Sequence, residues 1–149
     1  MLTIILLAIG GAIIYAVIGT LWYSDATPMG KIHMKYLGMD ALSPEERAQK
    51  MESGKAMMPK MYAAQLALSF LTSFWVVFVV LESLHNGLPL AMAVGFAVFS
   101  WLCFTVPAVG TSILWSTCDR SLAWKKFFSD IGSNLVTIIV IALVASLFA

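Results

Sequence analysis

A chain of 149 residues that is 60% hydrophobic and only 11% charged has too little polar side chain to clothe an ordinary water-soluble domain. Its formal net charge of +1 excludes whole-molecule attraction to nucleic acid and leaves membrane lipids as the expected partners. The nine Lys and Arg fall within Lys31–Lys60 and Arg120–Lys126, and four long apolar runs carry none, which predicts an all-α integral membrane four-helix bundle in one domain.

The first run, Leu2 to Tyr23, is uncharged over about twenty residues, the length a helix needs to cross roughly 30 Å of hydrocarbon. Ser24-Asp25-Ala26 loosely matches a small-residue cleavage site. The start of the run lacks Lys and Arg, however, and the run is longer than the roughly 7 to 15 apolar residues of a signal peptide, so a permanent helix is expected. Ala8, Ala12, Ala16 and Thr20 recur every fourth residue, with Gly11 and Gly19 beside them, and mark a candidate helix-contact face.

The connection from residue 24 to 60 holds two short helices. Lys31 to Leu37 puts Ile32 and Tyr36 on one face and Lys31 and Lys35 on another ahead of Gly38, which suits a helix lying on the membrane surface with the two lysines toward phosphate headgroups. Ser43-Pro44-Glu45-Glu46 has the Ser cap, first-turn Pro and third-position Glu of a capping box, so a helix follows from Pro44 to about Ser53, with Gly54 as a stop. Seven of the nine Met lie between Met29 and Met61, near His33. Thioether and imidazole together suit Cu(I), but no repeated Met-x-x-Met or Met-His spacing is present, and Met also serves as a flexible packing residue; no metal or other cofactor is expected.

The second span is predicted from Met61 to about Leu84, and His85-Asn86-Gly87 with Pro89 makes a tight turn into a third span from about Leu88 to Trp115. That third run is longer than a perpendicular crossing requires. A bend at Pro107 is expected to absorb the excess, with Thr105 or Thr111 satisfying the freed backbone groups. Cys103 and Cys118 would sit about 22 Å apart on one continuous helix, too far for a bridge. The fourth span is predicted from about Phe127 to Ala149. Lipid offers no partner to unpaired backbone, so all four spans must be helical.

Basic loops stay in the cytoplasm, so the expected orientation is N-out and C-out in a plasma (inner) membrane. Trp22, Tyr23, Trp115 and Trp124 then fall at the cytoplasmic interface as an aromatic belt.

Polar residues within the spans carry the functional signal. Asp130, Ser133, Asn134 and Thr137 share one face of the fourth helix, and Gln65, Ser69, Thr72 and Ser73 share one face of the second. Gln65, Ser69, Asp130 and Asn134 are the candidate lining of a polar chamber in the cytoplasmic half. Asp130 lies about 6 Å beyond Lys126 along the helix and Asn134 about 12 Å. Their competing reading is interhelical hydrogen bonding, worth about 0.6 kcal/mol per pair. Glu82 and His85 fall near the opposite face and fit an interface better than a proton relay.

Two blocks of sequence carry a resemblance. Leu21-Trp22-Tyr23-Ser24, then Gly30-Lys31-Ile32-His33-Met34-Lys35 and Leu37-Gly38-Met39, resembles the domain of unknown function 1761 family of prokaryotic membrane proteins. Arg120 to Val136, with Phe127-Phe128, Ile131-Gly132 and Asn134-Leu135-Val136, is similar to that family's last loop and fourth helix. His33 stands where the family commonly has an aromatic residue, and Asp130 and Ser133 stand where it commonly has Asn and an aromatic. The resemblance implies a four-helix membrane fold and brings no activity with it.

Three function classes follow. The leading one is a non-catalytic membrane protein that binds a small or lipidic ligand, or a partner helix, through the chamber. The alternative is a small oligomeric transporter or channel, disfavoured by the apolar outer halves of the spans. A homo-oligomer fits four helices that enclose little volume. A membrane enzyme ranks third, because no intramembrane Lys or Arg, metal-ligand cluster or paired nucleophile and base is visible.

Overall fold

Apolar runs of this length become helices once lipid replaces water. A computed structural model, which describes residues 1–149, has seven α-helices and one π-helical segment: α1 (Leu2–Trp22), α2 (Pro28–Tyr36), α3 (Pro44–Gly54), α4 (Met58–His85), α5 (Leu90–Ser100), the π segment (Trp101–Thr105), α6 (Val106–Leu114) and α7 (Arg120–Ser146). Four helical lengths are long and apolar enough to cross a membrane: α1, α4, the continuous α5–π–α6 rod, and α7. The protein is an all-α, four-span membrane bundle, with α2 and α3 at one end.

α4 and α7 form the centre, each packing on the other, on α1 and on the third span. Their shared core is Val76, Val77 and Val80 with Ala93, Ala97, Ile138, Ile141, Ala142 and Ala145. Valines and alanines there let helices approach closely where lipid supplies no hydrophobic drive of its own. Ala8, Gly11 and Ala12 of α1 are buried against this centre. A Cβ on Gly11 would meet Ser73 Cβ at 2.8 Å and Ile141 Cγ2 at 3.3 Å, so the absent side chain is what lets α1 seat on both α4 and α7.

Ala16 is exposed, as is Thr20. Every fourth residue drifts by about 40° around an α-helix. The contact stripe therefore leaves the Ala8–Ala12 line and continues through Ile14 and Tyr15, which pack on the core.

Boundaries move where side chains cap helix ends. α7 begins at Arg120, ahead of the expected Phe127, because the Asp119 carboxylate accepts from Leu122 N at 3.0 Å and Lys125 and Lys126 continue the helix rather than a loop. α4 begins at Met58 and α5 at Leu90. α3 carries the expected capping box, Ser43 with Glu46. It buries no residue. α2 starts at Pro28, capped by Thr27, whose Oγ1 accepts from Gly30 N at 2.9 Å. Gly38 (φ +67°) ends α2 and Gly87 (φ +77°) turns α4 into α5, both in the left-handed region that only glycine enters without steric cost.

The long third span gains its extra residue as a π turn. Val106 N donates to Trp101 O, five residues back, just ahead of Pro107, which has no N–H to give. Thr111 Oγ1 donates to Pro107 O at 2.9 Å. Trp101 Nε1 donates to Ile131 O at 3.1 Å and pins the π turn to α7. Beyond this point the third span packs chiefly on α7.

Candidate functional site

At the loop-bearing end, α1, α2 and α7 converge on one charged group. Lys126 lies about 9 Å into α7 and is only 8% exposed. A lone ammonium at that burial is prohibitive, and its compensation is one helical turn away: Lys126 Nζ donates to both carboxylate oxygens of Asp130. From the end of α1, the Tyr23 hydroxyl donates to Asp130 Oδ1 at 2.6 Å. The Lys126 ammonium also lies 5.1 Å from the ring centroid of Tyr23 and 5.6 Å from that of Tyr36, at cation–π distance from both.

Neighbouring contacts lock the three helices together. Trp22 Nε1 donates to Ser129 Oγ at 3.2 Å, and its ring lies over Gly132. Thr27 Oγ1 donates to Trp22 O at 2.6 Å, closing the turn between α1 and α2. A Cβ on Gly30 would fall 1.9 Å from Ser24 O, so α2 rests directly on the backbone that leaves α1. The His33 ring stacks on Tyr23, centroids 4.9 Å apart and tilted 46°. His33 Nδ1 is buried with no hydrogen-bond partner. Burial first, and the nearby Lys126 ammonium second, lower the His33 pKa, while Asp130 opposes them more weakly. A neutral imidazole fits this setting.

The polar residues singled out from the sequence are engaged close to home. Gln65 is exposed, and its Nε2 donates to Ser69 Oγ at 3.3 Å on the same helix. Asn134 Nδ2 donates to the backbone oxygen of Asp130 at 2.8 Å, and Thr137 Oγ1 to Ser133 O at 2.8 Å. No hydrogen bond joins the Gln65–Ser69 pair to Asp130 or Asn134. Ser73 Oγ is buried and unpartnered, against Gly11. Lys31 and Lys35 are exposed on α2. Glu82 and His85 are exposed at the opposite end.

Sequence reasoning places Lys126 in a loop and Tyr23 and Trp22 in an aromatic belt. The i, i+4 spacing of Lys126 and Asp130 is the one local signal that could have paired them. Tyr23 reaches Asp130 across 107 residues of chain, which no local pattern reveals.

A second feature opens sideways. Where the third span leaves α4 at the π turn, a groove of about 450 Å³ lies between Leu71, Thr72 and Trp75 of α4, Ser100, Trp101, Phe104 and Thr105 of the third span, and Ile138 of α7. Seven of its ten lining residues are hydrophobic, and its polar atoms are largely satisfied: Trp75 Nε1 donates to Ser100 Oγ at 3.1 Å, Ser100 Oγ to Phe96 O, and Thr72 Oγ1 to Leu68 O.

Fold and site together define a polytopic helical membrane protein, four spans in one chain, whose loop-bearing end is tied by a buried ion pair and whose flank carries an apolar groove. The family model that matches it is described as a protein of unknown function (DUF1761) and covers residues 6–146; the chain belongs to that family. No curated protein and no solved structure matches the chain.

Proposed function

We propose that this chain is a non-catalytic membrane protein that takes the hydrocarbon chain of a membrane lipid into the groove between α4 and the third span. The observation that carries this reading is the groove itself, about 450 Å³, apolar and open at the π turn. The ligand place is shifted from a polar chamber around Gln65, Ser69, Asp130 and Asn134, because those side chains spend their hydrogen bonds on their own helices or on Lys126 and Tyr23.

Transport through a single chain finds less support. Val76, Val77, Val80, Ile138 and Ile141 pack the centre at 2% exposure or below, and the buried polar side chains beside them, Ser69, Ser73, Ser133 and Thr137, are small and uncharged. Lys126 and Asp130, the one buried charged pair, neutralise each other at the end of the bundle rather than at its middle. We place the basic end, with α2 and α3, in the cytoplasm of a cell whose plasma membrane holds the protein, on the asymmetry of Lys and Arg.

The test is photo-crosslinking with a lipid bearing a diazirine on its acyl chain, in proteoliposomes, with the adducts mapped by mass spectrometry. Adducts are expected at Leu71, Trp75 or Phe104, and Ser100→Trp, which fills the groove, should suppress them. Labelling spread evenly over lipid-facing residues would overturn the reading. A crosslink between two copies through the groove would also overturn it and assign the groove to an oligomer contact.

A further inference from the structure

α2 and the start of α7 enclose a second, quite different hollow. It holds about 390 Å³ and is lined by Lys31, Ile32 and Lys35 of α2, by Ser121, Leu122 and Lys125 of α7, and by the α7 cap Asp119. The three lysines come from two helices and line the same hollow as the apolar Ile32 and Leu122. All three are exposed, and none is in an ion pair, although Lys55 and Lys126 each have one. Asp119 lies within the hollow but is occupied as the α7 cap through Leu122 N. Counting its carboxylate against three ammonium groups leaves the hollow doubly positive. Unpaired like charges held at one place repel each other, and an anion between them removes that cost.

The chemistry of the occupant follows from the position. Five residues separate α2 from the end of one span, and Lys125 lies in the first turns of another, so the hollow opens where hydrocarbon gives way to water. Lysines on mobile stems present point charges suited to phosphate, Ser121 adds a hydroxyl, and Ile32 and Leu122 suit the first carbons below a headgroup. We propose that Lys31, Lys35 and Lys125 form a binding site for the phosphate of an anionic membrane lipid. The site is separate from the groove beside the π turn and stands whether or not that groove takes an acyl chain.

Native mass spectrometry of the full chain released from nanodiscs tests it. Nanodiscs are made of phosphatidylcholine with phosphatidylglycerol as the minor component, and the lipid retained on the protein is identified. Wild type should retain one phosphatidylglycerol with a preference of at least about tenfold over phosphatidylcholine. The triple variant Lys31→Gln/Lys35→Gln/Lys125→Gln should lose that preference. Lys50→Gln/Lys55→Gln/Lys60→Gln removes the same charge from outside the hollow and should keep it. Equal loss in both triple variants would overturn the proposal in favour of diffuse surface charge, as would an absence of preference in wild type. Full displacement of the lipid by millimolar inorganic phosphate would overturn the lipid assignment and leave a free-anion site. All six positions are exposed, so Gln removes no packing there; Lys55 alone gives up an ion pair, a solvent-exposed one with Glu52, and unchanged thermal melting of both triples confirms that they are folded.

Discussion

Lys126 and Asp130 face each other one turn apart on α7, and the same carboxylate receives the hydroxyl of Tyr23 from α1. One ion pair thus serves as the meeting point of two spans and, through the Tyr36 ring, of the surface helix α2. With side chains only 10% and 19% exposed, neither charge is left to solvent.

Removing one partner should be costly and removing both much less so. Asp130→Ala leaves a buried ammonium unpaired and should destabilise the protein by about 3 kcal/mol or more. Lys126→Met/Asp130→Leu should recover most of that loss, because an apolar pair of similar volume incurs no ionic desolvation. Thermal melting in detergent of the two variants against wild type reads the difference. Equal loss in both would mean that the pair contributes more than mutual neutralisation.

Gly30 should tolerate no side chain. A Cβ there lands on Ser24 O, a backbone atom that cannot swing aside, so Gly30→Ala must lift α2 off the end of α1. A loss of about 1–3 kcal/mol is expected, together with faster proteolysis between α1 and α3. Gly54→Ala, with open space around it, is the matched control.

Along α1 the same contrast applies within one dipeptide. Gly11→Val should disrupt the seat of α1 on Ser73 and Ile141, whereas Gly10→Ala, facing nothing within 4 Å, should leave melting unchanged. Similar melting of the two variants would show that α1 does not approach as closely as described.

Acidification should loosen the loop-bearing end. The folded His33 pKa lies below its ordinary value of about 6.5, so the unfolded chain takes up the proton first as pH falls. Stability present above that value therefore declines as pH drops through it toward the folded pKa, and levels off below. The groups facing the imidazole are the Tyr23 ring, the Lys126 ammonium and the Asp130 carboxylate. His33→Phe keeps the stacking and cannot be protonated, so its melting should change less than wild type between about pH 7.5 and about pH 5.5. Parallel curves would remove His33 from the account.

The architecture was legible because hydrocarbon imposes it: runs free of Lys and Arg, a capping box at Ser43 and Glu46, and turn residues at Asn86-Gly87 all act locally. The site was legible only in part. Asp130 stood out as a carboxylate in a span, yet its partners did not, since Lys126 read as a loop charge and Tyr23 as a belt aromatic. Their meeting depends on how α1 and α7 cross. The π turn was equally hidden: Pro107 announced a bend, but the extra residue is held by Trp101 reaching Ile131 on another helix. Along the Ala8–Ala12–Ala16 line, Ala16 turns away from the contact within the chain because a period of four drifts around a helix of 3.6.

The central claim is that four helices cross the membrane with α2 and α3 on the cytoplasmic side. The most direct measurement is labelling of intact cells with a membrane-impermeant thiol reagent, in chains carrying Cys103→Ser and Cys118→Ser plus one introduced cysteine. Asn86→Cys should react from outside, and Lys50→Cys should react only after the cells are permeabilised. Outside labelling of Lys50→Cys, or protection of Asn86→Cys in intact cells, would contradict it.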